Sequence, residues 1–345
     1  PYKGRLLVRG VNHDGSHKKF KVNYKPSLFV PTQKDTGYKT LDGRDVGKMT
    51  FESMYEAKQW IDEYKDVSNF EYFGNTRFQY PYIADEFPGK VDWNIKQIRL
   101  ITIDIECESE NGFPDVDRAD EALICITVKD HTSKRIIVFG MDNFVNDRDD
   151  VQYIKCKSEI DLIHQFTRFW CEYQPNIITG WNVKFFDIPY LFNRACRIVG
   201  QNIAELLSPI RVVQWSDFGN GKYKIAGVNV LDYLQLYRKF TFSERSSYRL
   251  DDIGKFEVGE KKVPYEGTLN DLYENDLEKF IDYNIQDVKL IKKLDEKLDF
   301  IEIARGIAHL GHIPYESVFM SSRYLEGAIL VYLKKQGIIA PNKPR

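Results

Sequence analysis

The chain has 345 residues, enough for about two domains with a buried core. Hydrophobic residues make up 43% of it and aromatic residues 14%, a composition that excludes a disordered chain. The 49 basic and 51 acidic residues give a net charge of −2, so the overall charge does not indicate a nucleic-acid partner and any basic surface must be local.

Cysteine usage and hydropathy restrict the class of protein further. None of the five cysteines forms a Cys-x-x-Cys pair or has a histidine neighbour at zinc-binding spacing: Cys107, Cys125, Cys156, Cys171 and Cys196. This pattern predicts reduced thiols in a cytosolic protein. No apolar run reaches the ~18 residues that span a bilayer. We see no signal peptide and expect no membrane partner, although the chain begins at Pro1 without Met.

Residues 1–98 are predicted to form a small α+β amino-terminal domain. The runs Arg5–Val11 and Lys18–Val22 flank Asp14-Gly15, which indicates a β-hairpin. A helix is predicted over Ser53–Lys65, where Ser53 and Glu56 form a capping box. Four apolar residues fall on one face of this helix: Ala57, Trp60, Ile61 and Tyr64.

Residues 99–299 are predicted to form a larger α/β domain. The predicted strands are Arg99–Cys107, Ala122–Val128, Arg135–Phe139, Asn176–Thr179 and Val228–Asp232. The predicted helices are Ser158–Tyr173, Ile188–Val199 and Asp276–Leu298. Three strands followed by alternating helices and strands are typical of a ribonuclease-H-like α/β layer fold. Residues 300–345 continue a helical pattern, which we expect to pack back on the amino-terminal domain and to end in a linker to a region absent from this chain.

The last predicted helix has two distinct flanks. A continuous apolar stripe is expected to be buried: Leu277, Ile281, Ile285, Val288, Ile291, Leu294 and Leu298. Tyr283 and Asp287 are four residues apart and lie off this stripe, so they share another flank of the helix.

Four acidic residues carry the strongest chemical signal. Asp104 and Glu106 lie within the apolar strand Arg99–Cys107, Asp187 precedes a predicted helix, and Asp287 lies on the last one. Because side chains alternate in a strand, Asp104 and Glu106 point the same way and repel each other unless a cation lies between them. Two divalent cations roughly 4 Å apart need several oxygen ligands from separate elements. The set predicts a two-metal nuclease.

Each of these residues has a simpler interpretation when it is taken alone. An isolated Asp-x-Glu is more often a solvent-facing pair on an edge strand, and an Asp before a helix usually caps it. Asp287 alone would be an exposed helix acid, and Tyr283 a packing residue. The three motifs occur together and in order, and Asp-x-Glu lies on an apolar strand, which favours the nuclease hypothesis.

The motifs resemble those of a known family. Three segments are similar to the exonuclease motifs of the family B DNA polymerases: Ile103–Glu106, Gly180–Tyr190 and Tyr283–Val288. Three more are similar to segments of the T-even-type bacteriophage replicative polymerases: Tyr24–Phe29, Leu231–Tyr233 and Ser247–Asp251. The resemblance covers essentially the whole chain, as amino-terminal and 3′→5′ exonuclease domains. Polymerase signatures of the Ser-Leu-Tyr-Pro-Ser and Tyr-Gly-Asp-Thr-Asp kinds are absent from the sequence, so the palm, fingers and thumb are not expected in it.

The resemblance implies a specific role for each acid. Asp104, Glu106 and Asp287 would bind one Mg²⁺ or Mn²⁺ ion, and Asp104 with Asp187 and the scissile phosphate would hold a second. Tyr283 would orient the attacking water. The substrates would be single-stranded DNA 3′ ends and primer–template DNA, from which deoxynucleoside monophosphates are released.

Contacts to DNA are implied for several more residues, each with an alternative. Asn182 either helps to hold the primer terminus or forms a turn after Trp181. Lys261 or Lys262 resembles a lysine that contacts the scissile phosphate, and the local spacing leaves both open. Phe113 is expected to stack on an unpaired base, although single aromatic residues more often belong to a core. Asn220-Gly221 predicts a type I′ hairpin that either separates primer from template or is a plain surface turn.

The resulting prediction is the proofreading portion of a phage family B DNA polymerase, acting in the cytoplasm of an infected bacterium. Its polymerase portion would be part of the same longer chain or a second subunit, so the sequence is either one half of a split polymerase or a truncated chain. Two alternatives stay open. One is a free-standing DNA or RNA exonuclease, and the other is a non-catalytic nucleic-acid-binding or docking subunit.

Overall fold

The computed structural model describes residues 4–12, 14–90, 94, 97–108, 112–133, 135–215 and 223–341. The chain divides into two compact units, Pro1–Trp93 with Ala304–Arg345 and Asn94–Ile303. All five cysteines are free thiols, and three of them are buried. Within the described part of the chain, no helix has both the length and the apolar character to cross a membrane.

The first unit begins with the predicted hairpin, in which β1 (Leu6–Val11) pairs antiparallel with β2 (His17–Val22). Gly15 has a φ of +83°, the left-handed conformation that glycine adopts without steric cost, and the Asp14 carboxylate accepts from the Ser16 N–H at 2.8 Å. Three further strands follow: β3 (Ser27–Pro31), β4 (Lys39–Thr40) and β5 (Val46–Thr50). β3 and β5 form a second antiparallel pair.

Helix α1 (Met54–Tyr64) confirms the helix predicted after these strands. The Ser53 hydroxyl accepts from the Glu56 N–H at 3.1 Å, and the Glu56 carboxylate accepts from the Glu52 N–H at 2.7 Å. Ser53 therefore caps the helix as predicted, whereas the glutamate reaches one residue further back than a standard capping box requires. Ala57 and Ile61 are buried, but Tyr64 at the end of the predicted face is exposed. Helix α2 (Gln79–Glu86) follows.

A six-stranded mixed sheet forms the centre of the second unit. This unit has eight strands in the described residues: β6 (Leu100–Cys107), β7 (Leu123–Asp130), β8 (Ile136–Gly140), β9 (Val151–Lys155), β10 (Ile177–Thr179), β11 (Val213–Trp215), β12 (Tyr223–Ile225) and β13 (Asn229–Val230). Six of them form the central sheet in the order β13-β10-β6-β7-β8-β9, whereas β11 and β12 pair with each other. β6 runs antiparallel to β7 and parallel to β10, so it is a central strand, as its apolar sequence predicts.

Helices cover both faces of this sheet. The helices of this unit are α3 (Glu159–Tyr173), α4 (Asp187–Ile198), α5 (Gln201–Ala204), α6 (Tyr233–Phe240), α7 (Leu250–Val258), α8 (Leu269–Asn275) and α9 (Leu277–Leu298), of which α3, α4 and α9 pack on the sheet. α3 and α4 share one core with the β6 residues Ile101, Ile103 and Ile105, whereas α9 packs on β6, β7 and β8 through a second core. This layered arrangement confirms the predicted α/β class.

The carboxyl-terminal segment contains α10 (Phe300–Leu310), α11 (Ser321–Lys335) and β14 (Ile338–Ile339). β14 pairs parallel with β4, and α11 packs against α2. The Glu326 carboxylate accepts from Asn75 at 2.9 Å and from Arg77 at 3.2 Å. The boundaries between the two units lie at residues 93/94 and 303/304, a few residues away from the boundaries at 98 and 299 that the sequence predicts.

Candidate metal-binding site

Strand β6 places two carboxylates on one side of the sheet. Ile103 and Ile105 are buried in the core beneath α3 and α4. Asp104 and Glu106 alternate with them and are only partly buried. Because side chains of a strand point to opposite faces, both acids lie on the face that α9 covers. The predicted orientation of this strand is confirmed.

Helix α9 brings a third carboxylate to the pair. Asp287 is 1% exposed, and one ligand oxygen each from Asp104, Glu106 and Asp287 lie within 4.8 Å of one another. Among the described residues, nothing forms a hydrogen bond with the buried Oδ1 of Asp287. A buried carboxylate oxygen without a partner is costly, and a hard divalent cation is a ligand that would satisfy it. The three residues therefore fit a divalent metal ion.

Asp187 approaches the same strand from α4, of which it is the first residue. It is 4% exposed, and its Oδ1 accepts from the backbone N–H of Ile105 at 3.2 Å. The preceding turn lies close to β6, because a Cβ at Gly180 would be only 2.6 Å from the carbonyl oxygen of Ile103. Glycine permits this backbone approach. Asp187 thus lies beside Asp104 and Glu106 without belonging to the group of three.

Lys262, rather than Lys261, reaches the carboxylates. Its ammonium forms an ion pair with Asp287 and donates to the hydroxyl of Tyr283 at 2.8 Å. The backbone N–H of Lys262 donates to Asp251 Oδ1 at 2.9 Å, which fixes the loop. The Lys261 side chain is 52% exposed, and its Nζ lies 3.9 Å from Asp251 Oδ2. Of the two lysines, Lys262 is thus the one that lies beside the carboxylates, and a contact between a lysine and the scissile phosphate stays a prediction.

The acids are held in an environment that disfavours their charged forms. Burial raises the pKa of the Glu106 carboxyl to about 8 and that of Asp187 to about 7. Burial, with added repulsion from Asp287 and Glu106, also raises the pKa of Asp104 well above its usual range. One lysine ammonium cannot neutralise all four carboxylates, so this site has a deficit of positive charge.

Lys262 and Tyr283 both keep their protons at neutral pH. Burial opposes the Lys262 ammonium, but Asp287 and the neighbouring acids outweigh this effect, so its pKa is raised. Burial also raises the pKa of the Tyr283 phenol. Since the Tyr283 oxygen accepts from Lys262, its own hydroxyl proton remains available for donation.

The other predicted contact residues lie near the second motif. Asn182 has a φ of +66°, and its carbonyl accepts from the N–H groups of Phe185 and Phe186, so it forms a turn. Phe113 is 83% exposed, and its ring centroid lies 5.1 Å from that of Phe186. DNA contacts by Asn182 and Phe113 stay predictions. The turn at Asn220-Gly221 lies outside the described residues, although β11 and β12, which flank it, pair antiparallel.

One residue at this edge of the sheet was not singled out from the sequence as functional. Asp232 follows β13, is fully buried, and its carboxylate accepts from the backbone N–H of Lys184 at 3.0 Å. The available signal is an aspartate at the end of a predicted strand and flanked by the apolar Leu231 and Tyr233. A buried acid in that position needs hydrogen-bond donors.

Comparison with known proteins gives a consistent set of similarities. A family model described as DNA polymerase family B, exonuclease domain, matches residues 54–253. The chain is 31% identical to the DNA-directed DNA polymerase of Escherichia phage RB69 and 27% identical to that of Enterobacteria phage T4, over 97% and 98% of its length. It is 29% identical to the DNA polymerase catalytic subunit of Alcelaphine herpesvirus 1, over 68% of this chain and 24% of the viral protein. The chain spans 41% of the length of each phage relative.

Proposed function

This chain belongs to the exonuclease-domain family of the family B DNA polymerases, and we propose that it removes nucleotides from DNA 3′ ends by two-metal hydrolysis. The convergence of Asp104, Glu106 and Asp287 within 4.8 Å is the observation that carries this proposal. We further propose that residues 99–299 form a ribonuclease-H-like domain. The mixed sheet with helices on both faces supports this assignment.

The four acids divide into two sets of metal ligands in this proposal. Asp104, Glu106 and Asp287 would hold one Mg²⁺ or Mn²⁺ ion, and Asp104 with Asp187 would hold the second. The separation of Asp187 from the group of three supports this division. When bound, the two ions would supply an activated water and positive charge at the scissile phosphate. The carboxylates fix where that charge lies, because they are anchored on β6, α4 and α9.

Tyr283 and Lys262 have complementary roles in this proposal. The Tyr283 hydroxyl keeps its proton and orients the attacking water by hydrogen bonding. The Lys262 ammonium, which pairs with Asp287, is positioned to bind a non-bridging phosphate oxygen. It keeps its positive charge near the developing negative charge of the transition state.

The adjacent lysines give a matched test of this arrangement. We expect Lys262→Ala to lower the rate of nucleotide release roughly 100-fold, because the ammonium beside Asp287 is lost. Lys261→Ala should stay within about twofold of the unchanged protein, since its side chain is directed to solvent and Asp251. Single-turnover rates on a 3′-labelled oligonucleotide measure both. Equal losses in the two variants would contradict the assignment of Lys262.

We propose that Phe113 and Asn182 contact the unpaired 3′ end, since Phe113 is exposed beside the second motif.

The similar phage proteins are DNA-directed DNA polymerases, so we propose a polymerase portion as partner, on the same chain or a second subunit, in the cytoplasm of an infected bacterium. We propose residues 1–98 as the amino-terminal domain and 300–345 as a helical segment that packs on it.

A nuclease assay distinguishes this function from the two alternatives, a free-standing exonuclease and a non-catalytic subunit. The protein should release deoxynucleoside monophosphates from single-stranded DNA in Mg²⁺ or Mn²⁺ and release none in excess EDTA. Faster cleavage of a matched RNA would favour a free-standing ribonuclease. DNA binding without metal-dependent release would favour a non-catalytic subunit and overturn the proposed function.

A further inference from the structure

The turn that leads into Asp187 is tied to a second segment of the chain through one carboxylate. Asp232 lies just beyond β13, which runs parallel to β10 at the edge of the sheet. The backbone extends this pairing beyond the strands, because the N–H of Tyr233 donates to the carbonyl of Gly180 at 2.9 Å. The ends of β10 and β13 therefore bring the second motif and Asp232 together.

The Asp232 carboxylate accepts from two backbone donors. One oxygen accepts from the N–H of Lys184 at 3.0 Å. The other oxygen accepts from the N–H of Gln235 at 3.2 Å and so caps α6. Asp232 is fully buried. A carboxylate suits this position because it is acceptor-only and can satisfy several N–H groups at once.

Hydrogen bonds connect this turn to the start of α4, where Asp187 lies. The carbonyl of Asn182 accepts from the N–H groups of Phe185 and Phe186, and the carbonyl of Val183 accepts from that of Ile188. Asp187, between these donors, is in turn held by the N–H of Ile105. The turn, the start of α4 and strand β6 thus form one hydrogen-bonded series.

We infer that Asp232 is a positioning residue for the exonuclease reaction, holding the Asn182–Lys184 turn so that Asp187 lies at a fixed place beside Asp104 and Glu106. The inference rests on the proposed function. Asp232 acts through the backbone of the second motif and does not touch the reacting atoms. A displacement of about 1 Å in a catalytic group lowers rates by up to about 100-fold, so a loosened turn should be visible in turnover.

Asp232→Asn separates positioning from helix capping. Asparagine caps helices as well as aspartate does, so the start of α6 should be retained. Its amide group presents donors where the turn also presents a donor, so the contact to Lys184 should be lost. Asp276→Asn is the matched control, because Asp276 caps α9 by accepting from the N–H of Lys279 and is exposed.

The measurement combines kinetics with amide hydrogen exchange. We expect Asp232→Asn to lower kcat by about tenfold or more while KM for DNA stays within about threefold, and the Lys184 amide to exchange at least about tenfold faster. Asp276→Asn should change none of these. A kcat for Asp232→Asn within about twofold of the unchanged protein would overturn the inference, as would loss of the fold, which would indicate a purely structural role. If the unchanged protein shows no metal-dependent activity, the proposed function itself fails.

Discussion

Replacing Asp104 with alanine is expected to lower metal-dependent release of 3′-terminal nucleotides by at least about 10³-fold, which corresponds to roughly 4 kcal/mol of transition-state stabilisation. Asp104 is the acid shared by both proposed sets of ligands, so its loss should disturb both metal positions. Burial raises the pKa of Asp104, and repulsion from Asp287, Glu106 and Asp187 raises it further. Removing it relieves that repulsion, so the fold should persist without metal.

Glu278→Ala is the matched control for this loss. Glu278 is an exposed acid in the first turn of α9, the helix that carries Asp287, and it lies outside the group of three carboxylates. The activity of Glu278→Ala should stay within about twofold of that of the unchanged protein. Both variants are compared by rate on a 3′-labelled single strand and by circular dichroism. Retained activity in Asp104→Ala, with the fold intact, would contradict the proposed role of Asp104.

The metal-free protein is expected to lose stability as the pH rises. The pKa of Glu106 is raised by burial from 4.5 to about 8, and that of Asp187 from 3.8 to about 7. The folded state therefore keeps protons that the unfolded chain loses, and the free energy of unfolding decreases with pH wherever the folded state binds more protons. The stabilisation is complete below about pH 4 and is lost progressively up to about pH 8, in the window between the unfolded and folded pKa values.

Divalent cations should reverse this trend. Metal binding requires deprotonated ligands, so Mg²⁺ or Mn²⁺ should raise Tm more at about pH 8.5 than at about pH 6. Thermal unfolding in EDTA and in Mn²⁺ across this range measures both effects. Glu106→Gln removes one of the titrating groups, so its Tm in EDTA should fall less steeply with pH. Parallel curves with and without metal would contradict a metal site formed by these acids.

Local elements of the site could be predicted from the sequence because each is specified by nearby residues. The apolar alternation of β6 predicted that Asp104 and Glu106 share a face, and the structure confirms it. Spacing on α9 predicted that Tyr283 and Asp287 share a flank. Their near-complete burial was not predicted, because the apolar stripe alone does not show that this flank lies over β6.

Features that depend on contacts between residues far apart in the chain could not be predicted from the sequence. Strand β9 (Val151–Lys155) was missed because it lies at the edge of the sheet and has only five residues, in which Tyr153 and Ile154 break the alternation of apolar and polar residues. Lys262 could not be distinguished from Lys261, because its direction is fixed by the contact of its backbone with Asp251. The role proposed for Asp232 could not be predicted, because its partner Lys184 is 48 residues away in the chain.

A crystal of this protein soaked in Mn²⁺ and measured at a wavelength where manganese scatters anomalously would test the two-metal site most directly. We predict two anomalous peaks roughly 4 Å apart, one among Asp104, Glu106 and Asp287 and one between Asp104 and Asp187. The Lys262 ammonium should then have moved away from Asp287 Oδ2. No peak among these carboxylates, with Lys262 still paired to Asp287, would contradict the account.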